Sequence, residues 1–440
     1  MAFQQGLSGL YSSSKALDVI GNNIANTSTV GFKGSSTHFA DVYANSLAGS
    51  GAGSAGVGSQ VTNIAQQFNQ GNITTTNNPM DVAINGAGFF RLSQSGTFTY
   101  TRNGQFHVDK DNFVVNDEGY RLQGWTANAQ GIVVPGTPGD IIIDKSYQAP
   151  QATGTSPNNI GVVAKLNLDS RSAAKDQAIT PFDPYNPDTY NYSTALTIYD
   201  TRGNPHTLTT YLVKTTDPVS TGVGSPWRMY TTVDGKDGSS LSTTYPGSIN
   251  LDGGDYTNME FDSAGKLVMP DLTTIPTLSI DWNALDPTLG ATAPQTFKIN
   301  LMGTTSYGDA FASNVLTQDG YATGKLTGIN ISEDGLVQGR YSNGQTKNMG
   351  RVVLYDFANP NGLKPVGNNQ WVETYASGQP LPGAPQTGQF GALQSSAVEE
   401  SNVDMTSELV AMIVQQRNYQ ANSQTIKTQD QILQTLVNLR

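Results

Sequence analysis

The 440-residue chain contains no cysteine. Disulfides, thiolate metal sites and thiol nucleophiles are thereby excluded together. Charge is also scarce: Asp, Glu, Lys and Arg make up 13% of residues, about half the usual share. The net charge is −11. That balance argues against a general binder of phosphate backbones, so no nucleic-acid partner is expected. Long apolar runs are missing: no stretch approaches the ~20 residues of a membrane span, and no bilayer insertion is expected. The start, "MAFQQGLSGLYSSSKAL", has neither the basic opening nor the apolar run of a signal peptide. This predicts a cytoplasmic protein, or one exported without a cleaved signal.

Gly, Asn, Thr, Ser and Gln take the place of the missing charge. Such a composition points to many short strands and turns with an uncharged polar surface. Low charge density also weakens repulsion between copies of the chain. A single core rarely serves this length, so about two to four domains are expected.

The two ends are helical by period. Phe3, Leu10, Leu17 and Ile24 recur every seven residues, with Leu7 and Ile20 on the same side. Together they span roughly 140° of one helix face. Gly21, Asn22, Asn23 and Asn26 are poor helix formers in the same segment. Asn26 is the expected left-handed terminator. At the other end Met405, Met412, Tyr419, Ile426 and Leu433 again recur every seven residues, with Leu409 and Val437 beside them. A second apolar set (Val410, Val414, Ala421, Ile432, Leu436 and Leu439) projects to the other side. Ser401 and Asp404 suggest a cap, and the helix would run for about 39 residues, or roughly 58 Å.

A helix apolar on two faces is buried on two faces. The expectation is that Phe3, Leu10, Leu17 and Ile24 pack on Met405, Leu409, Met412 and Tyr419 of the same chain. The second C-terminal stripe, including Val414 and Leu436, then packs on neighbouring copies. Gly21 would admit a neighbour's backbone. Asn22, Asn23 and Asn26 join the subunit-packing candidates as uncharged donors and acceptors. In the free monomer both ends would lack partners and stay unordered.

Between the ends the period switches to two. "GSGAGSAGVGSQV" reads as a flexible linker within residues 28–78. A β meander follows from Met80 to Trp125, with Asn103-Gly104 as a hairpin signal. The fold class is therefore multidomain and mainly β, with N- and C-terminal helices pairing in a coiled-coil-like domain around nested antiparallel β domains. The expected parts are residues 1–27 with 399–440 as the helical polymerisation core and 28–78 as a linker segment. Residues 79–145 with 309–398 would form an inner β domain, and 146–308 an inserted outer β domain. No long helix is expected between about residues 70 and 398.

No residue pattern converges on a chemistry. "GAGSAG" (51–56) fits a dinucleotide loop, but no strand precedes it and no helix follows. "DKDNFVVNDEG" opens like a calcium loop and then places Phe113 where an oxygen ligand is required. His38, His107 and His206 are dispersed, without neighbouring carboxylate pairs. Glu260, Glu333 and Glu373 are far apart. The four tryptophans, Trp125, Trp227, Trp282 and Trp371, read as core or edge anchors. No catalytic residue, metal ligand or cofactor site is expected.

The stretch "SSSKALDVIGNNIANTSTVGFK" resembles the bacterial flagellar rod and hook family. Its helix-ending Asn22, Asn23, Ala25 and Asn26, then Thr27, Gly31, Phe32 and Lys33, match that family's signature. "EESNVDMTSELVAMIVQQRNYQANSQTIKTQDQILQTLVNL" is similar to its C-terminus, and "NGAGFFRLSQSGTFTYTRNGQFHVDKDNFVVNDEGYRLQGW" to its shared β domain. The likeness covers about residues 1–130 and 320–440. Rod members are much shorter, so the length and the insertion imply the hook-forming branch. The resemblance implies a homopolymer, a curved tube acting as a universal joint outside the cell. It also implies export by the flagellar type III apparatus, and contacts with the distal rod, hook cap and hook–filament junction proteins. A distal-rod-type protein forming a straight tube is the alternative within the family. A secreted β-rich adhesin or enzyme is the alternative outside it.

Overall fold

The computed structural model describes residues 2–42, 58–128, 130–155, 159–216, 225–237, 249–271 and 273–438; the side chains of residues 2, 42, 225 and 436–438 lie outside the description. The expected linker residues 49–57, with the "GAGSAG" run, therefore fall outside the described residues, as do the side chains of Leu436 and Val437 and all of Leu439. Among the described residues there are three α-helices: α1 (Ala2–Ala25), α2 (Trp282–Leu285) and α3 (Met405–Asn438). The chain divides into two compact units. One holds residues 1–145, 326–340 and 346–440; the other holds 146–325 and 341–345.

In the first unit, α1 leads into β1 (Ser35–Val42), which pairs antiparallel with β2 (Gly58–Gln66). The register runs from Ser35 opposite Gln66 to Val42 opposite Gly58, with a bulge at His38/Phe39. Residues 28–78 are thus not a linker throughout. Both faces of this hairpin are polar and part-exposed, so the period-two signal that betrays a half-buried strand is weak. A third strand, β3 (Ile73–Thr75), pairs with Ala397–Glu399 just before α3.

The return segment closes the first meander: Arg351 lies opposite Trp125, Leu354 opposite Phe90, and Trp371 opposite Tyr100. Phe89, Tyr100, Phe357 and Trp371 pack edge to face at the centre, with ring centroids 4.8–6.0 Å apart. The meander's two-residue hairpin is Ser95-Gly96, both at positive φ (50° and 84°), joining Gln94 to Thr97. Asn103-Gly104 forms no such turn. Gly104 is there for close approach, since a Cβ would stand 1.7 Å from the Val82 carbonyl oxygen.

The second unit is built on two five-stranded sheets. One runs in the order Ile249–Leu251, Thr277–Ile280, Gln295–Asn300, Ile160–Asn167, Ala312–Gln318; the other, Tyr192–Tyr199, Pro205–Lys214, Ser225–Val233, Tyr256–Phe261, Leu267–Met269. Strand Ile160–Asn167 turns Val162, Ala164 and Leu166 inward and Lys165 outward, as period two requires. Trp227 and Trp282 are fully buried in this core. Ala312–Gln318 pairs antiparallel with Ile160–Asn167, which carries this unit to Lys325 rather than to residue 308. Among the described residues the middle of the chain holds no long helix, only the short α2. One turn is too short to show a period, but Asp281 caps it by accepting from the Asn283 and Ala284 N–H groups.

Candidate functional site: the terminal helices and their foot

Helices α1 and α3 run antiparallel. At one end the Asn23 side chain donates to Glu408 Oε1 at 3.0 Å. At the other, a Cβ on Gly6 would stand 3.0 Å from Ile426 Cγ1. The 17 steps from Gly6 to Asn23 on α1 match the 18 from Glu408 to Ile426 on α3. Between them Gly9 faces Asn422, where a Cβ would come within 2.7 Å of its Nδ2.

The contact face of α1 is therefore a row of mostly small residues: Gly6, Gly9, Ser13, Ala16, Ile20 and Asn23, spaced three and four apart. Small side chains let two helices approach closely without large knobs between them. Ile20 belongs to both this row and the expected apolar stripe. The rest of that stripe does not serve the intramolecular pair as expected. Phe3 and Leu7 are 47% and 52% exposed, while Leu10, Leu17 and Ile24 are half-buried. On α3 only Met412 and Ile426 of the expected residues are half-buried. Met405, Leu409, Val414, Tyr419 and Leu433 are exposed. The half-buried row of α3 mixes these with polar Glu408, Gln415, Asn422 and Gln429. The physical reason is steric: glycine and serine carry no hydrophobic signal, so a period sought in large apolar residues misses the face of closest approach.

Among the described residues Gly21 meets nothing within 4 Å of a Cβ position, so its side of α1 is open. Two further expectations change. Asn26 is not left-handed; it donates to Asn22 O and accepts from Thr29 Oγ1. The left-handed residue is Gly31, at φ 71°, beside the Asn103 backbone. Helix α3 begins at Met405 under the Asp404 cap, which accepts from the Thr406 N–H, and has 34 residues, or about 51 Å.

The foot of the pair is tied together by polar groups. Asn23, 2% exposed, accepts from the Ser35 N–H at 3.0 Å and donates to the Ser35 carbonyl at 2.8 Å. One amide thus locks β1 to α1 and, through Glu408, to α3. Asn402 accepts from the Gly34 N–H and donates to the Gln67 carbonyl. Beneath lies a buried ionic knot. Lys33 Nζ stands 2.6 Å from Glu399 Oε1 and 2.7 Å from the Asn69 carbonyl; Arg102 Nη1 donates to Glu399 Oε2 at 3.2 Å. The side chains of Lys33 and Glu399 are fully buried. Burial pushes the Lys33 ammonium down from the ordinary lysine value, and the Glu399 carboxylate opposes that shift. By sequence Lys33 belongs only to the family signature, Glu399 to the start of the C-terminal helical part, and Arg102 has no role. The structure instead puts Glu399 at the end of a strand, and the meeting of the three depends on β3 pairing with Ala397–Glu399.

This arrangement ties distant segments of one chain together. Among the described residues, no group of three or more His, Asp and Glu is placed to hold a metal. Among the described residues, no helix is long and apolar enough to cross a membrane. Asp109 closes a turn by accepting from the Phe113 N–H. Glu373 accepts from the Tyr100 hydroxyl and Glu333 from Gln386. His206 does have neighbouring carboxylates, against expectation: Nδ1 is 2.7 Å from Asp234 and Nε2 is 3.6 Å from Asp200. Chain folding brings these together across 34 residues, a distance that sequence spacing cannot bridge.

Comparison with known proteins gives matches along most of the chain. Residues 3–33 match the family "Flagella basal body rod protein", and 83–155 match "Flagellar hook protein FlgE/F/G D1 domain". Residues 167–321, for which the sequence reading found no likeness, match "Flagellar basal body protein FlaE D2 domain"; 394–439 match "Flagellar basal body rod FlgEFG protein C-terminal". The flagellar hook protein FlgE of Escherichia coli K12 is 39% identical, over 100% of both chains. That of Salmonella typhimurium LT2 is 40% identical, again over 100% of both. That of Borreliella burgdorferi is 30% identical over 99% of this chain and 98% of its own. The crystal structure of Helicobacter pylori flagellar hook protein FlgE2 shares the fold, with a TM-score of 0.51 at 14% identity, covering 74% of this chain and 100% of that one.

Proposed function

The chain belongs to the flagellar hook protein family, and from that membership we propose that it polymerises into a curved tube. The tube acts as a universal joint between the rod and the filament of a bacterial flagellum. The role is structural, not catalytic. One observation carries the polymer reading: large apolar side chains on both terminal helices are left open after the helices have paired. Phe3, Leu7 and Tyr11 on α1 and Met405, Leu409, Val410, Ile413, Val414, Ile432 and Leu433 on α3 are exposed. Fully burying one Leu-sized side chain contributes ~1.5–3 kcal/mol, so covering several per copy supports a stable wall.

In this reading α1 and α3 form the inner wall, and Gly21, Asn22 and the open faces of α3 meet other copies. Contacts with distal rod, hook cap and hook–filament junction proteins, and passage through the type III export apparatus, follow from the same role. Electron microscopy of the purified protein on raising its concentration is the direct test. A curved tube is the expected result. A straight tube favours a distal-rod role, and a chain that stays monomeric overturns the reading.

A further inference from the structure

The foot of α1 carries an inference that rests on the polymer reading and names what one surface receives. Asn22 of α1, Asn26 just beyond its end, Gln66, and residues 368–370 line an open groove of about 390 Å³ beside Trp371. Its walls are amides. At two of them the internal hydrogen bond falls on the oxygen: Asn22 Oδ1 takes Asn26 Nδ2 at 3.2 Å, and Gln66 Oε1 takes the Trp371 indole N–H at 2.6 Å. At Asn369 it falls on Nδ2, which donates to the Val30 carbonyl at 2.8 Å. The Nδ2 of Asn22, the Nε2 of Gln66 and the whole side-chain amide of Asn368 have no hydrogen-bond partner among the described residues. What remains on offer is mainly N–H donors.

Lys33 lines the groove, and its buried ammonium shares Glu399 with Arg102. Two acids stand in an adjoining cleft that shares Asn368 and Asn369 with the groove: Glu118 accepts from Gln370 Nε2, and Asp117 stands 3.7 Å from His107. Asn368 and Asn369 are both left-handed, at φ 51° and 54°, a conformation asparagine tolerates better than most residues.

Position links the groove to the open helix face. At 100° per residue, Asn22 projects about 20° from Tyr11 and about 60° from Leu7. Tyr11 and Leu7 are the exposed apolar edge of α1. The groove continues that edge toward the helix C-terminus. A copy packed along α1 reaches it, and a copy of this chain brings 35 acidic residues against 24 basic ones. We propose that the groove receives an acidic, extended segment of a second copy of this chain, with a carboxylate seated on the Asn22, Gln66 and Asn368 donors.

The absence of cysteine makes the test clean. In Asn368→Cys the new thiol is unique, and Ser95→Cys at the tip of the Ser95-Gly96 hairpin is the control. Maleimide labelling rates are compared in monomer and polymer, after unchanged melting has shown that each variant folds. The Asn368→Cys thiol is expected to react at least tenfold more slowly in the polymer, with the control slowed less than twofold. Charge is tested at the same position: Asn368→Asp is expected to raise the critical concentration at least tenfold, and Asn368→Lys to leave it within threefold. A thiol equally reactive in both states, or Asp and Lys variants that behave alike, overturns the groove proposal while the tube reading stands. A wild-type chain that forms no polymer overturns both.

Discussion

The foot of the helix pair and the shafts above it use opposite chemistry. At the foot, Asn23, Lys33, Arg102, Glu399 and Asn402 are joined to one another and to backbone groups, and almost all are buried. Along the shafts the paired face is mostly small, and large apolar residues point to solvent. A buried polar knot is satisfied only by specific partners in fixed positions, and here every partner belongs to the same chain. An apolar face accepts any complementary apolar cover. The buried knot is thus complete in one copy, whereas the shafts, and the open groove beside the knot, are left for another copy.

Breaking that contrast at the foot should have the largest effect. Glu399→Gln removes the carboxylate that two buried cations share, so the first unit should lose about 3–5 kcal/mol. Urea unfolding followed by tryptophan fluorescence checks this; the second unit, with Trp227 and Trp282 in its own core, should unfold as before. On the shaft, Leu409→Asn should leave monomer stability within about 0.5 kcal/mol, because the side chain is exposed. Its critical concentration for assembly should rise about 10- to 100-fold, read by sedimentation. A monomer destabilised as much as the polymer would erase the distinction between the regions.

Asn23→Ala sharpens the comparison at the junction. It strands the Ser35 N–H and carbonyl and the Glu408 contact, and should cost about 1–3 kcal/mol in the monomer. Asn22→Ala, one residue away and exposed, should cost the monomer almost nothing and weaken assembly. Circular dichroism melting beside sedimentation separates the two.

The smallest effect belongs to the β core of the first unit and appears only at high pH. Burial raises the Tyr355 phenol to about 12, and burial with the Glu373 hydrogen bond raises Tyr100 as well. In the unfolded chain tyrosine titrates near 10. The stabilising share is complete below about pH 10 and is lost as pH rises toward 12. Tyr355→Phe should flatten part of that loss in alkaline melts. At neutral pH it should be close to neutral, since the Tyr355 hydroxyl has no hydrogen-bond partner among the described residues.

The helical ends were legible because a seven-residue apolar period survives without tertiary context. So were the meander and its return, where alternation marks half-buried strands. The β1–β2 hairpin was hidden because its strands are polar and part-exposed, which erases alternation. The role of Gly6 and Gly9 was hidden because their contribution is the absence of a side chain. The second unit's boundary was missed because it is set by a strand pairing, Ala312–Gln318 with Ile160–Asn167, that no local pattern announces.

By itself the amino-acid sequence determined which residues seek cover, that both ends are helices, and that no thiol chemistry is possible. Only the tertiary structure decided which face of α1 meets α3, and that Lys33, Arg102 and Glu399 share one buried site. The reason lies in range. Periodicity is a property of neighbours a few residues apart, whereas Lys33 and Glu399 are 366 residues apart and meet through two paired strands.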